Sequence, residues 1–375
     1  MKSFANIVIF HPAAIGDAVL ATPVSTTLKL NFPGAKITYW SHPSLKSLLL
    51  ELCPAIDEFV EFQKDLGFWK LRKQLLALKP DLFIDLSNSS RGYMLPILTG
   101  IETRRYEKES ETVAQPVHAV GNFLATIKDI CGTYPQNLFP TLYPDVIAEE
   151  LIPQLVEMHR LDYRPLIGLV CGVGSLRPHR AWIPDGWIYL VKQILDCLPH
   201  TPVFIGGTED YDLAQRINAE CGNRGMNLCG QLQLPETAAV LKCCDVVVSG
   251  DTGPAHIAVA VGTPVVGLYG PTNPLRSGPY GCSAYLLDQS ESCECLGAKI
   301  CHLAGPAQPG ECMGRIMLPE VMAKIRLALG PDYADVNTMP SLDEDLSPPG
   351  VAVDPAVMAE FLAQYREDKK EDQQE

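Results

Sequence analysis

The chain has 375 residues, 47% of them hydrophobic, which suits two domains of ordinary size. Its formal net charge is −14, but residues 331–375 alone hold 12 acidic and 3 basic residues, so the remainder is only mildly acidic. No basic stripe indicates a nucleic-acid surface, and no apolar run is long enough to span a bilayer. The first apolar stretch is short and ends at His11-Pro12, which is typical of a strand and not of a signal peptide. We therefore expect a cytoplasmic protein without a transmembrane segment that binds no nucleic acid.

In the first half of the chain, predicted strands and helices alternate as in a βαβ fold. The strands are predicted at residues 6–10, 36–40, 58–62 and 82–86, and the helices at residues 18–31, 45–52 and 69–78. A further helix at 148–158 precedes a break at 162–165, where we place the domain boundary. Residues 1–160 are thus predicted to form a Rossmann-like α/β domain.

The second half repeats this alternation. The strands are predicted at residues 166–171, 202–206, 228–229, 246–248 and 264–269. The helices are predicted at residues 184–198, 211–221, 234–243 and 319–329, with one more that begins at about residue 255. Residues 161–330 are thus predicted to form a second Rossmann-like domain. Residues 331–375 are predicted to be an acidic, largely disordered tail, because their composition buries too little apolar surface. Within this tail, the apolar residues of 356–365 have the spacing of a short helix.

The segment from Ser249 to Thr272 predicts an anion site. A buried strand ends at a turn, Gly250-Asp251-Thr252-Gly253-Pro254, and a helix follows. Free backbone N–H groups and the positive end of the helix dipole converge at such a helix start. Thr252, Gly253 and His256 are the predicted phosphate contacts, whereas the Asp251 carboxylate would repel phosphate. Turns of this chemistry also occur without a ligand.

The same segment closely resembles the nucleotide-sugar signature of the ADP-heptose:lipopolysaccharide heptosyltransferases, glycosyltransferase family 9. The resemblance extends to about residue 330 and implies a GT-B fold, in which two Rossmann-like domains face a central cleft. It implies inverting, metal-independent transfer of heptose from ADP-heptose to a lipopolysaccharide core or related glycan, without a cofactor. The implied partners are a nucleotide-sugar donor and a glycolipid or glycan acceptor, with peripheral contact at the cytoplasmic face of the inner membrane.

On the acceptor side, the resemblance assigns roles to two residues of the first domain. Asp17 matches the family's general base, which removes the proton of the acceptor hydroxyl. Asp17 is also suited to capping a helix that starts at Ala18. Arg91 matches a loop that meets an anionic acceptor, such as a Kdo carboxylate or a phosphate, although simple surface exposure explains it as well. Many lipopolysaccharide core heptosyltransferases carry histidine where this chain has Leu20, which weakens a specific acceptor assignment.

On the donor side, Arg180 occupies the position of the family's diphosphate-binding lysine, and a guanidinium can hold two phosphate oxygens at once. Asp210, with Glu209 as its rival, matches the acidic residue that binds ribose hydroxyls. A negative charge also stabilises the N-terminal end of a helix, and either carboxylate fits that structural role equally well. Asp251 is assigned to hydroxyls of the donor sugar or to bracing its loop.

A group of cysteines lies near the end of the second domain. Its members are Cys293, Cys295, Cys301 and Cys312. In a reducing compartment such a group more often indicates metal or redox chemistry than a disulfide framework, but the spacing is not that of paired CxxC motifs. A structural zinc site, a disulfide and unliganded thiols all stay open, and no catalytic metal site is predicted.

Two other functions are compatible with these motifs. One is a family 9 enzyme that uses another nucleotide-sugar donor or another acceptor. The other is a non-catalytic nucleotide-binding protein, which Asp17 together with the donor loop disfavours. A dehydrogenase is poorly supported, because no Gly-x-Gly-x-x-Gly follows the first strand.

Overall fold

The computed structural model describes residues 3–107, 116–159, 164–174, 177–298, 301–304, 308–333 and 355–372. The chain divides into two compact units. The first contains Met1–Tyr143 and Leu275–Gly281, and the second contains Pro144–Pro274 and Cys282–Glu375. Each unit is built on its own parallel β-sheet with connecting helices.

The first unit has a five-stranded parallel sheet in the order β3-β2-β1-β4-β5. The strands are β1 (Asn6–Phe10), β2 (Lys36–Ser41), β3 (Glu58–Glu61), β4 (Leu82–Asp85) and β5 (Glu102–Arg105). The helices are α1 (Ile15–Leu20), α2 (Thr22–Asn31), α3 (Lys46–Leu52), α4 (Phe68–Ala77), α5 (Ser90–Met94) and α6 (Ala119–Ala125). The central strands β1 and β4 are apolar runs, as expected for strands covered on both faces.

The helix predicted at residues 18–31 is two helices, α1 and α2, that meet at Ala21. Pro23, near the start of α2, has no N–H to continue the ladder of a single helix. The Thr22 hydroxyl donates instead to the carbonyl of Val19 at 2.8 Å, which stabilises the junction. The break therefore has a local cause in the sequence.

The second unit has a six-stranded parallel sheet in the order β11-β10-β9-β6-β7-β8. The strands are β6 (Leu166–Val170), β7 (Thr201–Phe204), β8 (Met226–Asn227), β9 (Cys244–Ser249), β10 (Val265–Tyr269) and β11 (Leu287–Asp288). The helices wholly within this unit are α7 (Asp145–Met158), α8 (Pro184–Cys197), α9 (Tyr211–Glu220), α10 (Leu234–Lys242), α11 (Gly253–Ala260), α13 (Glu311–Gly314), α14 (Leu318–Leu329) and α15 (Pro355–Asp372). Helix α12 (Pro274–Ser277) begins at the last residue before the segment Leu275–Gly281, which belongs to the first unit. No helix among the described residues is long and apolar enough to cross a membrane.

The observed division between the units falls earlier than the predicted boundary at residue 160. Helix α7 precedes that boundary, yet it packs on α10 of the second unit. Lys242 at the end of α10 also forms an ion pair with Asp145, the first residue of α7. The sequence break at 162–165 therefore follows a helix that already belongs to the second unit.

The predicted disorder of the tail does not hold for residues 355–372, which form α15. Met358, Leu362 and Tyr365 are buried in the structure. The Arg366 guanidinium donates two hydrogen bonds to the Glu236 carboxylate of α10, at 2.7 and 2.6 Å. This bidentate ion pair and the apolar contacts hold α15 on the second unit. The predicted tail residues 334–354 and 373–375 lie outside the described residues.

Candidate functional site

In the second unit, the loops that follow β6, β9 and β10 start at one edge of the sheet. These three strands are neighbours and run in the same direction, so their carboxyl ends lie side by side. Gly250 lets the first two loops approach closely. A Cβ atom at Gly250 would lie 3.3 Å from Cγ1 of Val173 and 3.6 Å from the carbonyl oxygen of Arg180. Ligands of open α/β sheets bind at such an edge.

Arg180 and Asp251 form an ion pair at this edge, although 71 positions separate them in the chain. Their side chains are only 13% and 14% exposed. Burial lowers the pKa of the Arg180 guanidinium, an effect that the Asp251 carboxylate opposes. The Arg180 Nε is buried and has no hydrogen-bond partner among the described residues. The sequence assigned these residues separate roles, and the structure brings them into contact.

Helix α11 starts beside this ion pair. Thr252 is its N-cap residue, but the Thr252 side chain makes no capping hydrogen bond, and its Oγ1 lies 3.0 Å from Oγ of Ser249. The first turn contains no acidic residue. His256, also in the first turns of the helix, is buried. Thr252, Gly253 and His256 thus lie together at the N-terminal end of a helix whose dipole favours an anion.

Tyr269, which the sequence did not indicate, belongs to the same edge. It is the last residue of β10 and is buried, and its Oη has no hydrogen-bond partner among the described residues. Burial raises the pKa of the Tyr269 hydroxyl, the Asp251 carboxylate raises it further, and the Arg180 guanidinium lowers it. The only signal in the sequence was its place at the carboxyl end of a predicted strand.

Asp210 lies in the loop after β7, the strand on the other side of β6. Its Oδ2 accepts a hydrogen bond from the Gly207 backbone N–H at 2.9 Å, and burial raises the pKa of the carboxyl group. A Cβ atom at Gly172 would lie 1.7 Å from Oδ1 of Asp210, so a glycine is needed there. One carboxylate oxygen of Asp210 thus braces its own turn, while the other faces the loop after β6. The rival Glu209 is exposed.

In the first unit, Asp17 lies inside a helix and does not cap one. Helix α1 begins at Ile15 with Ala14 as its N-cap, so the expected cap of a helix starting at Ala18 is wrong. Asp17 occupies the first turn of α1, where a carboxylate interacts favourably with the helix dipole. Its side chain is exposed. This position leaves the carboxylate accessible to a substrate.

Behind α1, His11 and Tyr39 form a buried neutral pair. The His11 Nδ1 lies 2.8 Å from the Tyr39 hydroxyl. Burial lowers the pKa of His11 to about 3. The pKa of the Tyr39 hydroxyl is raised first by burial, next by Cys53, and also by the charge of Asp17. Tyr39 is therefore within electrostatic range of the candidate base.

Arg91 lies in α5, directly after the predicted acceptor-side loop. Its Nη1 donates to the carbonyl of Lys64 at 2.8 Å, and Ser89 caps the helix by accepting from the Gly92 N–H. The sequence did not indicate Asp85, whose buried carboxylate accepts from the Ser87 hydroxyl at 2.6 Å. Burial raises the pKa of the Asp85 carboxyl group. The loop is thus held by its own hydrogen bonds, and the Arg91 side chain is exposed above it.

The predicted cysteine group is only partly assembled. The Cys295 Sγ lies 3.4 Å from the Cys301 Sγ and 3.2 Å from Nδ1 of His302. Burial and the neighbouring Cys293 together raise the pKa of the Cys312 thiol to about 12. All four are free thiols. Within the described ranges, no three His, Cys, Asp or Glu side chains are arranged to hold a metal ion.

Comparison with known proteins identifies related sequences. Residues 157–302 match the sequence model of glycosyltransferase family 9 (heptosyltransferase). The lipopolysaccharide core heptosyltransferase OpsX of Haemophilus influenzae is 42% identical over 296 residues, which are 73% of this chain and 82% of that protein.

Two solved structures have the same fold. A glycosyltransferase family 9 protein from Veillonella parvula has a TM-score of 0.71 at 23% identity, covering 87% of this chain and 97% of that chain. The Escherichia coli ADP-heptose lipopolysaccharide heptosyltransferase II has a TM-score of 0.68 at 22% identity, covering 86% and 98%. The α/β, GT-B fold class expected from the sequence is thereby confirmed.

Proposed function

This chain belongs to glycosyltransferase family 9 and is a glycosyltransferase of the lipopolysaccharide heptosyltransferase group, and we propose that it transfers heptose from ADP-heptose with inversion and without a metal ion. The acceptor is a lipopolysaccharide core or a related glycan. The observation that carries this proposal is the ion pair of Arg180 and Asp251 beside the start of α11.

Arg180 and the N-terminal end of α11 bind the donor diphosphate in this proposal. Positive charge and backbone amides directed at the leaving diphosphate stabilise the negative charge that develops as the glycosidic bond breaks. Thr252, Gly253 and His256 contribute from the helix start. The buried Arg180 Nε provides a donor that no described protein group uses. This positive charge comes from the protein itself, which supports a reaction that needs no metal ion.

Asp251 and Asp210 bind hydroxyls of the donor in this proposal. The Asp251 carboxylate is held by Arg180, so its negative charge is partly balanced before the donor arrives. It is then suited to accept hydrogen bonds from the sugar. Asp210 keeps one oxygen on Gly207, and the other is suited to accept from the ribose.

Asp17 is the proposed general base. It takes the proton of an acceptor hydroxyl while the oxygen attacks C1 of the heptose and the bond from C1 to the diphosphate breaks. ADP leaves with the electron pair of that bond, and Asp17 later releases the proton to solvent. Its exposed position at the start of α1 supports this role, and Arg91 is the proposed contact for an anionic acceptor.

We place this reaction at the cytoplasmic face of the inner membrane, where a lipid-anchored acceptor would be held. A peripheral contact with that membrane would bring the enzyme to its acceptor.

Product analysis tests the proposed reaction. The purified chain is incubated with ADP-heptose and a heptose-deficient lipopolysaccharide core, with EDTA present and absent, and with a panel of other nucleotide sugars. We expect heptose transfer in both conditions, with the opposite anomeric configuration in the product by NMR. Faster turnover of another nucleotide sugar would show that ADP-heptose is not the donor. Retention of the anomeric configuration would remove Asp17 from the role of base. Loss of heptose transfer in EDTA would contradict metal independence.

A further inference from the structure

Exposed apolar side chains form a patch on the first unit. Trp69 and Leu76 lie seven residues apart on α4, and therefore on one face of that helix. Met94, Ile97 and Leu98 lie at the end of α5 and in the loop that follows. All five are exposed, and Trp69 and Leu98 are 77% and 96% exposed. We call these five residues the exposed patch.

Two hydrogen bonds join the segments that carry the exposed patch. Arg72 of α4 donates from Nη1 to the carbonyl of Leu95 at 3.2 Å. Arg91 of α5 donates to the carbonyl of Lys64, just before α4, at 2.8 Å. Leu95 is also buried in the same core cluster as Leu71 of α4. The two segments that carry the five side chains are thus neighbours in the first unit.

Leu98 has an unfavourable conformation for an exposed residue. Its φ is +59°, in the left-handed region that residues other than glycine rarely occupy. Its side chain is almost fully exposed, so packing within the protein does not compensate for this backbone conformation.

Basic residues are frequent in and beside α4, which carries part of the exposed patch. Residues 64–79 contain five basic residues and one acidic residue, in a chain whose net charge is −14. Lys64, Lys70, Lys73 and Lys79 are exposed, and none of them is in an ion pair with another described residue. The exposed surface of this segment therefore offers both apolar and positively charged side chains.

We propose that the exposed patch binds the surface of an anionic lipid bilayer. Trp69 and the aliphatic side chains enter the boundary between headgroups and acyl chains, and the lysines contact the anionic headgroups. A second copy of the chain is a poorer occupant, because two identical basic faces would repel each other. An anionic bilayer matches both the apolar and the charged part of the surface.

The patch adjoins the proposed acceptor side of the enzyme. The loop of residues 87–89 leads directly into α5, which carries both Arg91 and Met94. A glycolipid acceptor held in the same bilayer would present its sugars close to this loop. The inference thus rests on the proposed function for its biological purpose, but membrane binding is measurable without any donor or acceptor.

Vesicle flotation of the full chain tests the proposal. The vesicles contain phosphatidylcholine alone, or with about one third phosphatidylglycerol. We expect binding to the anionic vesicles only, weaker at high salt because ions screen the lysines. The double variant Trp69→Gln, Leu98→Ser and the double variant Lys70→Gln, Lys73→Gln should each lower the partition coefficient about tenfold or more.

Matched variants outside the exposed patch serve as controls. Tyr189→Gln removes an exposed aromatic ring from α8, and Lys128→Gln removes an exposed lysine of the first unit, so neither should change vesicle binding. Absence of binding by the unaltered chain, or equal binding by all variants, would overturn the proposal. Sedimentation that shows a dimer lost on Trp69→Gln would overturn it in favour of a second copy.

Heptose transfer to a water-soluble acceptor saccharide separates the two proposals. The patch variants should keep that activity within about twofold, because their residues contact neither substrate. If neither the unaltered chain nor any variant transfers heptose, the proposed function fails. The vesicle experiment still decides whether the exposed patch binds a membrane.

Discussion

The helix starts of α1 and α11 each follow a central strand of their own unit, but they differ in charge. Helix α1 has its own anion, Asp17, in its first turn, whereas the first turn of α11 has no acidic residue. Behind α1 lies the neutral pair of His11 and Tyr39. Beside α11 lies the ion pair of Arg180 and Asp251.

This difference separates two kinds of chemistry on one type of scaffold. A helix start that already holds a carboxylate repels a phosphate and offers a proton acceptor. The first turn of α11 holds no carboxylate, and the Asp251 carboxylate just before its N-cap is paired with Arg180, so this helix start favours a phosphate. In the proposed function, one βα turn therefore meets the acceptor hydroxyl and the other meets the diphosphate.

Removing the anion of α1 gives the largest expected effect. Asp17→Asn keeps the size of the side chain but cannot accept a proton, so kcat should fall about 10²- to 10⁴-fold. The dissociation constant of ADP, measured by calorimetry, should stay within about twofold, because Asp17 is not a donor contact in this proposal. Weaker ADP binding by this variant would remove Asp17 from the role of base.

Removing the cation beside α11 should affect nucleotide affinity. Arg180→Gln eliminates charge-assisted hydrogen bonds worth about 1.5–3 kcal/mol, so the dissociation constant of ADP should rise about 10- to 100-fold. Arg180→Lys should lose less, because it keeps the charge. Arg177→Gln, which removes an arginine from the same loop, is the control and should leave ADP binding nearly unchanged. Equal losses in the Arg177 and Arg180 variants would indicate only a general effect of loop charge.

The neutral pair behind α1 should make the stability of the fold depend on pH. The pKa of His11 is about 3 in the folded protein, whereas an ordinary histidine has a pKa of 6.5. The unfolded chain therefore binds more protons than the folded protein between these two pH values. The free energy of unfolding therefore falls as pH decreases below 6.5, by about 2 kcal/mol from His11 at pH 5.

Urea unfolding at pH 7.5 and pH 5 measures this loss. His11→Gln should remove most of the His11 contribution, whereas His42→Gln, at a less buried histidine, controls for the loss of an imidazole. An unchanged difference between the two pH values in His11→Gln would show that His11 is not the group responsible.

Giving α11 an anion like that of α1 should have the smallest effect. Thr252→Asp places a carboxylate at the N-cap, which should stabilise the unliganded protein by about 0.3–1 kcal/mol. The same charge should weaken ADP binding about tenfold, because it repels the diphosphate. Thr252→Ser is the matched control for both thermal unfolding and ADP binding. Tighter ADP binding by Thr252→Asp would contradict an anion site at this helix.

The sequence predicted most of the fold, because the strands β1, β4, β6, β9 and β10 consist mainly of buried apolar residues. It missed β5, whose sequence Glu102-Thr103-Arg104-Arg105 is polar and whose place at the sheet edge leaves it partly exposed. It also missed α5 and α6. Of the site at the carboxyl ends of β6, β9 and β10, it indicated Arg180, Asp251 and the start of α11. It did not indicate Tyr269, because a single tyrosine at a strand end has no distinctive pattern.

The tail shows why local composition is an incomplete guide. Residues 331–375 are acidic and poor in apolar residues, and this composition predicts disorder. Helix α15 is nonetheless held, because Met358 and Leu362 are buried and Arg366 meets Glu236, 130 positions away. Neither the apolar contact surface nor the partner carboxylate could be identified from the tail itself.

By itself, the sequence determined the two α/β units, the helix start that follows β9 and the family to which the chain belongs. These features depend on short-range patterns: apolar runs, Gly-rich turns and the spacing of residues within one motif. Only the tertiary structure decided that Arg180 contacts Asp251, that α7 belongs to the second unit and that α15 docks. Those outcomes depend on contacts between residues far apart in the chain, which form when parallel strands align their ends and separate helices bury their apolar faces together.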